Sequence, residues 1–96
     1  MPTPDRQAPV ADEAPDGDAL TAYDEQHLIH YLRLLDAAAE GADWREVARI
    51  VLEIDPDREP DRAWRAHETH LARARWMTRT GYRHLLAEGM RSRFLP

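Results

Sequence analysis

The stretch Asp43–Arg79, DWREVARIVLEIDPDREPDRAWRAHETHLARARWMTR, decides the fold. Asp43 stands where a carboxylate caps a helix, and Glu46 is placed to close a capping box from the third helical position. Trp44, Val47, Ala48 and Val51 then share one helical face, and Ile54 continues it. Pro56 and Pro60 each disfavour helix in the residue before them, so the segment Glu53–Pro60 ends this helix after about ten residues. A second helix is expected from near Asp61 to Arg79, with Gly81 at its end. The helical repeat places Ala63, Trp64, His67, Leu71, Ala74, Met77 and Thr78 on one side of it. Arg62, Arg65, Thr69, Ala72, Arg73 and Trp76 fall on the other.

Working outward, a longer helix is expected from Ala22 to Glu40. Thr21 is its N-cap, Asp24 supplies an acidic capping box, and Gly41 is placed to end it in the left-handed conformation. Leu28, Tyr31, Leu32, Leu35 and Ala39 recur at three- and four-residue spacing and are read as the core stripe, with Ile29 and Leu34 off it. On the far side, a short helix from Tyr82 to Glu88 is expected to return Tyr82, Leu85 and Leu86 to the core. Residues 1–19 hold four of the seven prolines and six charged residues, and are expected to form a disordered acidic tail. The expected fold is all-α: a small helical domain over residues 20–90, a helix-turn-helix variant with an extended turn, followed by a C-terminal tail over residues 91–96.

Ninety-six residues suffice for one core and leave little room for a buried cleft. The chain has no cysteine, which excludes disulfides and thiolate metal sites and suggests a cytoplasmic protein. The N-terminal residues lack a secretory pattern, and no apolar run approaches a membrane span, so no membrane association is expected. The net charge is −5, unevenly placed. From Met1 to Glu40 nine acidic residues face two arginines, whereas from Asp61 to Pro96 eight arginines face three acidic residues. All thirteen basic residues are arginine, which fits a GC-rich coding sequence before it fits selection for guanidinium contacts.

A longer helix, a short helix, a turn and a basic helix follow the layout of a helix-turn-helix domain, whose last element is presented to DNA. The turn of such motifs takes 3–4 residues; here it is about twice that. The run LTAYDEQHLIHYLRLLDAAAEGADWREVARIVLEIDP, followed by RAHETHLARARWM and GYRHLL, resembles a helix-turn-helix-variant family of proteobacteria, formerly a domain of unknown function. The resemblance spans residues 20–87. Family members regulate the transfer of integrative and conjugative elements: some are the DNA-binding ends of larger activators, and small standalone members are antiactivators. The resemblance implies a transcriptional antiactivator of the standalone kind. Its partners would be transcriptional activator proteins, the quorum-sensing TraR type and the excision activator FseA type. It assigns no contact residues.

His27 and His30, and His67 and His70, are three apart on expected helices. HETH is not the metalloprotease spacing and no third ligand is evident, so no metal or cofactor is expected; His67 is read as core edge and the other histidines as solvated. Paired carboxylates such as Asp55 and Asp57 lie in turn or tail segments, with no pocket to tune them, and neither a glycine-rich phosphate loop nor a nucleophile elbow is present. Neither an enzyme nor a small-molecule substrate is expected. The candidate partner-binding residues are Arg62, Arg65, Thr69, Arg73 and Trp76, on the basic face of the last helix. Trp76 admits two readings, a partner anchor or a core residue beneath the final helix. Six acidic residues between Asp43 and Glu59 lie where the motif would meet a DNA backbone, which favours a protein partner and weak or absent DNA binding. The alternative is a DNA-binding regulator.

Overall fold

The computed structural model describes residues 9–81, and these form helices with no strand among them. Helix α1 (Ala22–Gln26) begins at the expected cap: the Asp24 backbone N–H donates to Thr21 Oγ1, while the Thr21 N–H donates back to Asp24 Oδ2 at 2.9 Å. The expected single helix is divided in two. His27 leaves helical geometry at φ −116° and ψ 23°, its N–H shared between the carbonyls of Tyr23 and Asp24, and α2 (Leu28–Ala39) starts immediately after it. At the far end Gly41 takes φ +72°. The Ala42 N–H donates to the Ala37 carbonyl and the Gly41 N–H to that of Ala38, which is a complete Schellman cap.

Helix α3 (Trp44–Val47) is capped by Asp43, whose carboxylate accepts from the Arg45 N–H at 3.1 Å. Glu46 does not return to the cap and instead pairs with Arg49 at 3.2 Å. Over Ala48–Leu52 the helix widens to π geometry and closes with the Ile54 N–H on the Ala48 carbonyl. Glu53 then sits at φ 58°, a left-handed position for a residue with a Cβ. The turn that follows is built by Asp55, whose side chain accepts from the Asp57 N–H and whose carbonyl accepts from the Glu59 N–H, with Pro56 buried beneath. Helix α4 (Pro60–Trp76) starts with proline in its first turn and continues as a π turn over Met77–Gly81. It packs across α2 and against α3, giving a helix-turn-helix variant with a long connection.

The core forms around Tyr31, Leu34, Val47, Ala48, Leu52, Ile54, Ala63, Ala66, Leu71, Ala74 and Met77. On α2 this is rotated from the expected stripe. Leu34, expected off it, is buried; Leu32 is 64% exposed, Ala39 is exposed, and Leu28 and Leu35 are only partly covered. Asp24, His27, Tyr31 and Leu34 fall on one stripe at three- and four-residue spacing, and burying them turns Leu32 outward to the rim of an apolar groove between α2 and Met77. Ile29 is exposed as expected. On α4, Ala63, His67, Leu71, Ala74 and Met77 are buried as expected, but Trp64 is 47% exposed and Thr78 is exposed, while Ala66, His70 and Arg73 are buried in their place.

Of the stretch expected to be a disordered tail, residues 9–19 lie along α4, with Val10 in the core cluster. Residues 1–8 lie outside the described residues, as do the helix expected over Tyr82–Glu88 and the C-terminal tail.

Candidate functional site on helix α4

The centre of the site is a buried ion pair. Arg73 Nε and Nη2 donate to the two oxygens of Asp24 at 2.9 and 2.7 Å, a bidentate fork between side chains that are 2% and 0% exposed. Asp24 also accepts from the Tyr31 hydroxyl at 2.8 Å and from Thr21. Burial alone would raise the Asp24 carboxyl. The bonds from Arg73, from the Thr21 backbone and from Tyr31 outweigh it and hold the group at about 2. The remaining Arg73 donors reach the main chain, Nη1 to the Gly17 carbonyl at 2.6 Å and Nη2 to the Ala19 carbonyl at 2.8 Å. Its guanidinium also lies over the Trp76 ring, 3.9 Å from the centroid.

Beside this pair lies an aromatic and imidazole cluster. The His70 Nδ1 hydrogen faces the Ala66 carbonyl at 2.6 Å, which leaves Nε2 to accept from the Tyr23 hydroxyl. Tyr23 in turn accepts from the Ala11 N–H at 2.8 Å. His27 and His30 share a hydrogen between their Nδ1 atoms, 3.1 Å apart. Burial pushes His27, His30 and His70 below the ordinary imidazole value, and the neighbouring His27 and His70 lower His30 further. Three histidines expected to be solvated are therefore buried and neutral, because each finds an aromatic, carbonyl or imidazole partner. Among the described residues no group of three or more His, Asp or Glu side chains could hold a metal ion.

The five candidate residues are strung along α4, where Thr69, Arg73 and Trp76 line one groove, and the acidic segment runs beside them. Arg62 Nε is 2.6 Å from Asp12 Oδ1, and its Nη1 is 2.9 Å from Glu59. Arg65 Nε is 3.6 Å from Glu13 Oε1. Thr69 Oγ1 donates to the Arg65 carbonyl and accepts from the Ala14 N–H at 3.1 Å. Arg73 is spent on Asp24, Gly17 and Ala19, and Trp76 is half-buried beneath it. Between segment and helix lies an open groove of about 320 Å³, reached by Glu13, Asp16, Thr69 and Trp76. Arg75 on α4 and Arg79 in the π turn that follows it are exposed.

The exposed tryptophan is Trp64, which meets Trp44 edge-on at 4.9 Å between centroids and stacks against His67. Sequence reasoning missed this pair, and also missed the burial of Asp24 and its pairing with Arg73. The signal for Asp24 was its spacing with His27, Tyr31 and Leu34, which becomes visible once a buried stripe is allowed to contain polar residues.

Helix α4, crossing α3 after an extended turn and carrying Arg62, Arg65 and Arg73 on one side, defines a helix-turn-helix domain of the kind used by transcription regulators. The chain matches, over residues 5–87, the RovC DNA-binding-domain family, described as "T6SS, Transcription factor, DNA binding domain", and it belongs to that family. A search of curated proteins returns no match.

Proposed function

We propose that this chain regulates transcription by binding activator proteins, as a cytoplasmic antiactivator of the QseM kind, without catalysis and without a cofactor. The observation that carries the reading is the state of the α4 face. Arg62 and Arg65 are engaged by Asp12 and Glu13 of the same chain, and Arg73 is committed to the fold. Residues 9–81 hold sixteen Asp and Glu against nine Arg. Duplex DNA is gripped by clustered positive charge that displaces counterions, and a domain with this balance repels it. An acidic surface on a helix-turn-helix frame suits the basic surface of an activator, where complementary potentials steer association. On this reading the partners are activators of the TraR and FseA types, and the outcome is repression of the transfer of an integrative and conjugative element.

The test is co-purification of the chain with an activator of each type, using tagged activator and untagged chain. A complex of fixed stoichiometry is expected, and an activator that elutes alone overturns the reading. A second reading, direct regulation through DNA, is favoured by family membership and by the exposed Arg75 and Arg79. A mobility shift on the neighbouring promoter at moderate salt by the chain alone would establish it.

A further inference from the structure

Asp12, Glu13 and Asp16 carry three carboxylates along one extended stretch, and the structure sets that stretch on the polar side of α4. Asp12 meets Arg62 at 2.6 Å, Glu13 meets Arg65 at 3.6 Å, and the Ala14 N–H donates to Thr69 just beyond them. Asp16 adds its negative field at Arg73. The stretch is pinned on both sides by groups that are not its charges. Before it, Val10 is buried and the Ala11 N–H donates to Tyr23; after it, the Gly17 and Ala19 carbonyls accept from Arg73. A row of anions held against the arginines of a helix that this fold presents to DNA carries the charge pattern of a phosphodiester strand.

We propose that residues 12–16 are an internal competitor for the polyanion-binding face of α4, so that the chain binds nucleic acid weakly because that face is already filled. The inference deepens the reading above, since it names the cause of the weak DNA binding on which that reading rests. Val10 is buried and the Arg73 bonds to the Gly17 and Ala19 carbonyls are part-buried, while the masking ion pairs are exposed, with Asp12 and Glu13 side chains 66% and 61% accessible. Exposed ion pairs hold weakly and are screened by salt. The mask therefore yields to a competing polyanion, or to a basic partner that takes its carboxylates, without unfolding of the anchors.

The test compares two triple variants that lose the same charge. Asp12→Asn with Glu13→Gln and Asp16→Asn removes the mask. Glu25→Gln with Asp36→Asn and Glu40→Gln removes three exposed carboxylates of α1, α2 and the α2 cap. Binding to a short fluorescein-labelled duplex of random sequence is followed by anisotropy across a salt series, with circular dichroism confirming helical content. The mask variant is expected to bind on the order of tenfold tighter than the parent chain, and its log K against log salt slope to steepen by about two, one phosphate contact each for Arg65 and for Arg62, whose remaining pair with Glu59 is exposed. Adding Arg62→Ala and Arg65→Ala should erase the gain. Equal gains in the two triple variants, or none in the mask variant, overturn the proposal. Should the triple variant lose helical content, the single changes Asp12→Asn and Glu13→Gln are each expected to give part of the gain, and no gain in either overturns it. Activator co-purification is scored separately, so failure of the mask leaves the antiactivator reading standing, and the converse also holds.

Discussion

Replacing Asp24 by Asn keeps the shape of the buried fork and removes its charge. In the parent chain the Asp24 carboxyl sits at about 2, against an ordinary value of 3.8. A shift of nearly two units, at about 1.4 kcal/mol each, corresponds to about 2–3 kcal/mol of stability. The substitution also strands the Arg73 guanidinium without a counter-charge, and breaking one side of a buried pair costs about 3–5 kcal/mol. Because the folded value is depressed, the Asp24 contribution is fully present above about pH 4 and is lost as pH falls towards 2. Urea unfolding followed by circular dichroism, for the parent chain and Asp24→Asn in parallel, reads both effects. The gap between them should be about 3–5 kcal/mol near neutral pH and shrink by about half near pH 2. A gap below about 1 kcal/mol, or one that stays constant across that range, would refute the assignment of Asp24 as a charged, buried anchor.

The imidazole cluster gives the parent chain a second pH dependence. His27, His30 and His70 are held below their ordinary value by burial, so the unfolded chain takes up protons first and stability declines as pH falls below about 6.5; thermal melts should show this decline, and His30→Gln should flatten it. Gly41→Ala places a Cβ at φ +72°, where no neighbour obstructs it, so the cost is conformational, about 1 kcal/mol in urea titration. Glu53→Gly at φ 58° should do the reverse and raise the stability, by up to about 1 kcal/mol. Arg62→Ala removes only exposed ion pairs, so its unfolding free energy in urea should stay within about 0.5 kcal/mol of the parent.

What could be read from the residues was whatever acts locally. Thr21 with Asp24, Asp43, Gly41, Pro56 and Pro60 each set a helix end through contacts within a few positions, and each stands where the spacing placed it. The rotation of α2 was hidden because hydrophobic periodicity counts Asp24, His27 and His30 as polar, whereas the fold buries them as a hydrogen-bonded stripe with Tyr31 and Leu34. The pairing of Asp24 with Arg73 spans 49 residues, beyond the reach of any spacing rule. The placing of residues 9–19 depends chiefly on main-chain carbonyls accepting from Arg73 and on a main-chain N–H reaching Tyr23, groups that every sequence offers. The arginine face of α4 was legible as a face; that the same chain already fills it was not.

The most direct measurement is calorimetric titration of the purified chain into an activator of the TraR or FseA type, at physiological ionic strength, with a promoter duplex titrated in parallel. Saturable, stoichiometric binding to the activator together with no measurable heat from the duplex is the expected result. Tight binding to the duplex with none to the activator would contradict the account.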